Sequence, residues 1–198
     1  MKNFSVKRAL QALYYLQEKA HTNNRMKLIK LFYFADRYHL RHYCVPFSYD
    51  TYRALKYGPI PQNTMDMLKF NDFFLKRISQ EDRILIENSV KINAERNKIS
   101  RQETDELSKS AIESLDFAIK TFSEFDQFSL SDISHDYPEW KNTYKKDETP
   151  KTINMAQCFD SPDEESSNIK KYLNGKDPFI DDEEVMREMK ADFLLHAN

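Results

Sequence analysis

Apolar residues recur at three- and four-residue spacing in the first forty residues of the chain, and this pattern predicts two helices. The first helix would begin after Ser5, a residue type that often caps helix N-termini. The second helix would run from about Arg25 to Arg41, and apolar side chains surround it on most sides. We expect this second helix to be central, because it needs neighbours in several directions.

Shorter patterns follow the second helix. Residues 47–58 are aromatic and β-branched and predict a short strand or extended segment. Pro61 suits the first turn of a following helix, where its missing N–H is not needed. Two β-rich runs, 73–79 and 83–92, are separated only by the letters QED, and they predict a β-hairpin.

Capping residues indicate further helices. Ser100 and Glu103 form a capping box that would open a long helix ending near Phe125. Ser129 would cap a short helix, and Pro138 would begin another. The elements together predict an α+β fold, mostly α, with about six helices around the second one and a small antiparallel hairpin or sheet.

The composition changes after residue 146, so the chain is expected to comprise a domain at 1–146 and an acidic extension at 147–198. Within the extension, the apolar run 152–159 is expected to dock on the domain. Asp181 or Asp182 would cap a terminal helix. The predicted apolar stripe of that helix consists of Val185, Met186, Met189, Phe193 and Leu194.

The charges are unevenly distributed, although the net charge is only −2. Residues 1–60 contain 11 lysines and arginines and 3 acidic residues, whereas residues 147–198 contain 6 and 13. The two ends of the chain would attract each other or face separate partners, and the pattern leaves both alternatives open.

Cysteine usage and hydropathy limit the class of protein. Cys44 and Cys158 suggest neither a disulfide framework nor a metal-binding pair, so both are expected to be buried free thiols. No apolar run approaches the roughly 18 residues of a membrane span. The N-terminal segment also lacks the features of a signal peptide. The sequence therefore predicts a cytoplasmic protein with no membrane partner and no cofactor.

Asp36, His39 and His42 share one face of the second helix, because they are spaced three residues apart. Such a face is suited to a metal ion or an acid–base pair, and Asp36 and His39 with His135 would form a hydrolase site. We favour the alternative that Asp36 and His39 bond to each other or to the backbone and brace nearby loops.

Nucleic-acid binding is another alternative, because the second helix and the segment after it carry cations among aromatic residues. These cations are Lys27, Lys30, Arg37, Arg41, Arg53 and Lys56. The whole chain is slightly acidic and contains no recognisable nucleic-acid-binding motif, so this alternative is not favoured.

Gly58 is one of only two glycines and lies between Tyr57 and Pro59. A residue before proline is disfavoured in the α region, and glycine tolerates a positive φ or the close approach of another segment. Pro59 and Pro61 stiffen the chain after it. The sequence therefore predicts a rigid corner here that shapes the fold.

Three segments in order resemble the Panacea domain of SocA-like antitoxins: KLIKLFYFADRYHLRHY, YDTYRALKYGPIPQ and SHDYPEW. The resemblance covers about residues 5–145. The matching residues are Lys27, Leu28, Lys30, Leu31, Tyr33, Ala35, Asp36, His39, Tyr52, Lys56, Tyr57, Gly58, Pro59, Pro61, Ser134, His135 and Trp140.

The resemblance implies a non-enzymatic antitoxin of bacterial or prophage origin that binds and neutralises a cognate toxin protein. It would mask the toxin directly or deliver it to a protease, and a chaperone is a further partner left open. The chain begins almost directly at the domain, so an added DNA-binding module and autoregulation through DNA are not expected. The oligomeric state is not determined by the sequence.

Two surfaces are candidates for binding the toxin: a basic and aromatic face, and the acidic extension with Met189 and Phe193. The candidate partner-binding residues are Lys30, Asp36, Arg37, His39, Tyr52, Lys56, Tyr57, His135 and Trp140. Gly58, Pro59 and Pro61 are expected to be structural. Deleting residues 177–198 would change partner choice or association rate, unless the terminal helix seals the core instead.

Overall fold

The structure, a computed structural model, describes residues 3–94, 96–163, 165–179 and 182–196. Ten helices and five short strands occur in these ranges, which confirms the predicted α+β class with mostly helix. The helices are α1 (Val6–Lys19), α2 (Arg25–Tyr43), α3 (Gln62–Leu68), α4 (Asp72–Leu75), α5 (Gln80–Ser89), α6 (Lys109–Phe122), α7 (Gln127–His135), α8 (Pro138–Lys141), α9 (Ser167–Tyr172) and α10 (Glu183–His196). The strands are β1 (Tyr52–Leu55), β2 (Gly58–Pro61), β3 (Val90–Asn93), β4 (Arg96–Ile99) and β5 (Lys151–Thr152), and a 3₁₀ turn covers Met155–Phe159.

The α2 helix lies at the centre of the fold, as its apolar surround predicts. The side chain of Asn24 caps it by accepting a hydrogen bond from the Lys27 amide, and Cys44 ends it with a left-handed backbone at φ 56°. Thirteen of its 19 side chains are buried. The helices α1, α6 and α7 and the strand β2 pack around it, so α2 is the central element of the fold.

A three-stranded antiparallel sheet in the order β2-β1-β5 lies beside α2. Leu55 faces Gly58 across the β1–β2 hairpin. On the other edge of β1, Arg53 faces Thr152, so the C-terminal extension contributes a strand to this sheet. The extended segment predicted after α2 is thus a strand, while Pro61 ends β2 and is the N-cap of α3.

The hairpin predicted over residues 73–79 and 83–92 is wrong, because α4 and α5 occupy most of that region. Ser79 caps α5 by accepting a hydrogen bond from the Asp82 amide. The polar letters QED are therefore the first turn of a helix, where acidic side chains favour the helix dipole, and they are not a hairpin loop. The hairpin forms later, between β3 and β4.

Two predicted helix starts are also displaced. Ser108 caps α6, whereas Ser100 donates its amide to the Ser89 carbonyl and extends the β3–β4 ladder. Asp126 caps α7 in place of Ser129. In both cases a second residue that can cap a helix lies in the same segment of the chain, and the surrounding structure determines which of the two is used.

The C-terminal extension packs on the rest of the protein. Ile153, Ile169 and Phe179 belong to the main hydrophobic core, and Cys158, Phe159 and Met186 form a second cluster with Leu40 of α2. The run 152–159 thus contacts α2 through Cys158 and Phe159. These contacts support the alternative that the terminal segment seals the core.

The terminal helix α10 differs in part from its predicted pattern. Asp182 caps it through the amides of Glu184 and Val185, while Asp181 lies outside the described residues. Met186 is buried, but Val185 is 47% exposed, so the apolar stripe is narrower than predicted. No helix in the described ranges is both long and apolar enough to cross a lipid bilayer.

Gly58 forms the predicted corner. Its φ is +96°, in the region that favours glycine. A Cβ added to it would overlap Lys30 Nζ of α2 and Ser134 Oγ of α7. Both predicted reasons for a glycine, a positive φ and a close approach, therefore apply at this residue.

Replacing Phe179 with Ala is expected to lower the free energy of unfolding by about 3–5 kcal/mol, because it leaves a cavity among core aromatic rings. The matched control is Val185→Ala on the exposed side of the same extension, which should change it by less than about 0.5 kcal/mol. Urea unfolding of both variants measures the difference. Equal midpoints would show that the extension does not seal the core.

Gly58→Ala is expected to destabilise the protein by about 2 kcal/mol or more, since backbone strain and steric overlap act together. The control is Gly175→Ala, where φ is +75° and a Cβ would meet nothing within 4 Å. The control should lose only the backbone contribution, about 1–2 kcal/mol. Thermal melting measures the stability that each variant loses. Equal losses in the two variants would contradict the packing argument.

Candidate functional site

Lys30 joins α2 to the hairpin corner from inside the protein. Its side chain is fully buried, and Nζ lies 3.2 Å from the Pro59 carbonyl oxygen and 3.2 Å from Ser134 Oγ. Burial lowers the pKa of Lys30 well below its usual value. The amine therefore ties β2 and α7 to the central helix and is not available to a partner at the surface.

Asp36 and His39 brace the loop between α2 and β1. Asp36 accepts hydrogen bonds from the Ser48 amide at 3.0 Å, the Ser48 hydroxyl and the Tyr52 hydroxyl at 2.8 Å. Burial raises the pKa of Asp36 to about 7 against the opposite effect of these bonds. His39 Nδ1 lies 2.6 Å from the Val45 carbonyl oxygen. These contacts support a bracing role for both residues.

Arg37 and Glu139 form a buried ion pair between α2 and α8. Arg37 Nε lies 2.9 Å from Glu139 Oε1, and both side chains have no exposed area. Burial disfavours the charged form of Arg37, but the Glu139 carboxylate outweighs it and the pKa of Arg37 lies above its usual value. The guanidinium also lies 4.1 Å from the ring centroid of Tyr137 and 4.6 Å from that of Phe179. Breaking such a pair would leave a buried charge, so it holds α8 and the extension in place.

The structure does not assemble the candidate catalytic or metal-binding groups. Asp36 bonds to the loop after α2, whereas His135 stacks on Trp140 with ring centroids 3.9 Å apart. The described residues contain no cluster of three or more His, Cys, Asp or Glu suited to a metal ion. Burial raises the pKa of Cys44 and, more strongly, that of Cys158, so neither thiol is activated.

The tip of the β1–β2 hairpin carries the candidate residues that remain accessible. Tyr57 is 47% exposed, and the Lys56 ammonium lies 5.4 Å from its ring centroid. Behind the tip, the Trp140 indole N–H donates to the Leu55 carbonyl at 2.8 Å. Burial, with a smaller effect of Lys30, lowers the pKa of His135 to about 4, so its ring is neutral at pH 7.

The prediction of a basic and aromatic face is therefore wrong at several positions. Lys30, Asp36, Arg37 and Tyr52 are at most 1% exposed and do not lie at a surface, because neighbouring elements cover most of α2 and one face of β1. Arg41 is buried as well. Three of the six cations that suggested nucleic-acid binding, Lys30, Arg37 and Arg41, are thus not available to a phosphate backbone.

A groove of about 420 Å³ lies beside the hairpin tip, between the start of α2, α3 and α7. Its apolar lining residues are Met26, Leu55, Tyr57, Ile60, Met65 and Phe128, and its cationic ones are Arg25 and Lys69. Phe128 is 58% exposed. An exposed aromatic pair over an apolar floor is typical of surfaces that bind a protein partner.

Sequence reasoning identified Tyr57 but missed most of the groove. Phe128 is the second residue of α7 and does not lie on the buried face of that helix. The sequence would have indicated this exposed position if Asp126 had been recognised as the N-cap. Met26 and Met65 belong to different helices, and only the tertiary packing brings them beside the hairpin.

Comparison with known proteins gives one family. The family described as "Antitoxin SocA-like, Panacea domain" matches residues 28–141. No curated protein and no solved structure matches the chain. The matched range includes Lys30, Gly58 and Glu139, so the buried links described above lie within it.

The raised pKa of Asp36 predicts a pH dependence of stability. Between about pH 4 and pH 7 the folded state holds a proton that the unfolded state releases. The contribution of this group to stability is therefore complete below about pH 4 and is lost as the pH rises to about 7. The side chain in Asp36→Asn cannot titrate. As the pH rises through this window, the free energy of unfolding of the variant should therefore increase relative to that of the wild type, on the order of 1 kcal/mol per pH unit.

Urea unfolding of both proteins at pH 4 to 8 measures this difference. A wild type that gained stability relative to Asp36→Asn with rising pH would show that the hydrogen bonds outweigh burial.

Proposed function

The chain belongs to the SocA-like antitoxin family with a Panacea domain, and from this premise we propose that it is the antitoxin of a two-protein toxin–antitoxin system. It binds a cognate toxin protein and neutralises it. The observation that carries the proposal is the family match, which covers residues 28–141 and includes most of α2.

Direct masking is the mechanism that the geometry supports best. A surface that is rigid before the partner arrives favours masking, because ordering on binding weakens affinity. The links from Lys30, Arg37 and Trp140 hold the hairpin, α7 and α8 against α2. Delivery of the toxin to a protease is the alternative, and a chaperone is a further partner that the family resemblance leaves open.

The proposal describes a binding protein of the cytoplasm and not an enzyme. The groups suggested for a hydrolase lie in different surroundings, and both thiols have raised pKa values. We further propose that residues 1–146 form the antitoxin domain and that the extension at 147–198 works with it as one body. The support is that β5 pairs with β1 and that Phe179 packs against Arg37.

A genetic experiment tests the function. The reading frames adjacent to this gene are expressed singly, and one of them is expected to stop growth alone but not together with this protein. A copy of this gene without its start codon is the control, and it should not rescue growth because the protein is the antitoxin. If no neighbour is toxic, or if the untranslated gene rescues growth, the proposal is wrong.

The amount of toxin in rescued cells separates the two mechanisms. Masking leaves the toxin level unchanged and allows the two proteins to be purified together. Delivery to a protease lowers the toxin level, and removal of the protease restores it. An immunoblot of tagged toxin measures both.

A further inference from the structure

We infer that the groove between Tyr57 and Phe128 is the toxin-docking surface and that it binds an apolar segment of the toxin flanked by carboxylates. The inference rests on the proposed function and specifies the partner chemistry of this surface. Nothing in the family match assigns a role to this groove.

The apolar part of the groove is suited to one or two large side chains. Met26, Ile60 and Met65 line it, and Tyr57 and Phe128 remain about half exposed, at 47% and 58%. Methionine side chains adapt to the shape of an inserted group, and exposed aromatic rings supply contact area with little loss of entropy. An apolar toxin side chain would therefore cover surface that the free protein leaves in water.

The charges around the groove favour acidic residues beside the apolar segment of the toxin. The described lining residues include Arg25 and Lys69 and no carboxylate. The guanidinium of Arg25 donates to Asn97 Oδ1 at 2.6 Å and to the Ala94 carbonyl at 2.7 Å, and both acceptors are uncharged. Lys56 adds a third cation at the hairpin tip. Acidic residues on the partner would meet this excess of positive charge and increase the rate of association.

The walls of the groove are held before any partner binds. The Ser131 hydroxyl donates to the Tyr57 carbonyl at 2.8 Å, and the Trp140 indole donates to the Leu55 carbonyl at 2.8 Å. Lys30 Nζ donates to the carbonyl of Pro59, two residues after Tyr57. These bonds fix the hairpin tip relative to α7, so binding does not have to order it.

Another exposed aromatic residue provides a contrast. Phe73 is 72% exposed on α4, but the nearby cavity beside α5 is lined mainly by polar groups. In that cavity Arg83 is already paired with Glu87, at 3.0 Å. Phe73 and its neighbour Lys76 are therefore matched controls for an aromatic and a cationic residue outside the groove.

The first experiment measures binding of the purified toxin from the adjacent gene. The double variant Tyr57→Ala/Phe128→Ala is expected to weaken the Kd about tenfold or more, because it removes two aromatic anchors. Phe73→Ala should change the Kd by less than about twofold. Both groove residues are exposed, so the variants are expected to keep the wild-type melting temperature, and this is checked first.

Charge is tested separately. Lys69→Glu should slow association with the toxin several-fold at low salt, and the effect should shrink as salt rises. Lys76→Glu has the same charge change outside the groove and should leave the rate unchanged. A rate that depends equally on both lysines would reflect net charge alone and would contradict docking at the groove.

Cross-linking identifies the bound segment. A photoreactive benzoylphenylalanine replaces Phe128 or, as the control, Phe73, and the toxin peptide that it captures is identified by mass spectrometry. Position 128 is expected to capture an apolar segment with a neighbouring Asp or Glu, and position 73 to capture none. Reversing that toxin acid to Lys should restore binding to Lys69→Glu.

The outcomes separate the inference from the proposed function. If the wild type does not rescue cells, the proposed function fails and the inference fails with it. If the wild type rescues cells and the groove variants bind toxin unchanged, only the inference is overturned. Groove variants that instead break a homodimer, or that lose RNA binding while keeping toxin binding, would assign the groove to a second copy or to a nucleic acid and would also overturn it.

Discussion

The contact of Lys30 with the Pro59 carbonyl and Ser134, beneath the corner at Gly58, is the constraint on which the rest of the structure depends. A buried amine needs acceptors, and only a residue without a Cβ lets the hairpin come close enough to supply one. This contact places β2 and α7 at fixed positions relative to α2. Because the groove lies between these same elements, its shape follows from a contact that no partner reaches.

The polar residues of α2 serve the same purpose along its length. Asp36 holds the loop before β1, and Arg37 holds α8 and Phe179 of the extension. Each group has internal partners, so the loss of one would leave a buried polar atom unsatisfied, which commonly costs about 1–3 kcal/mol. The helix that carries the first of the three family motifs is therefore the scaffold, and the accessible residues at the hairpin tip are better placed to meet a partner.

The acidic extension is bound to the domain by packing as well as by charge. Phe179 enters the aromatic core, and Lys190 of α10 pairs with Asp160 at 2.6 Å. The uneven charge distribution along the sequence thus does not by itself mark a free tail. The exposed pair Leu194 and Leu195 shows that one side of α10 still faces solvent.

Local chemistry in the sequence determined the elements whose cause is local. The period of apolar residues located α1 and α2. The Tyr57-Gly58-Pro59 sequence predicted a corner, because proline restricts the backbone and glycine tolerates a positive φ. The order of three motifs identified the family. The sequence also favoured a bracing role for Asp36, since structural contacts of that kind are common.

Only the tertiary structure decided which cations are buried and which capping residues are used. Lys30 and Lys69 are the same residue type, and their burial depends on neighbours that are distant in the sequence. The same reason explains the misplaced hairpin and the displaced start of α6. Ser79 caps α5 in a region that also resembles strands, and Ser108 competes with Ser100 as a cap until packing selects between them. The groove could not be predicted either, since its walls come from four segments that meet only when the hairpin is fixed against α2.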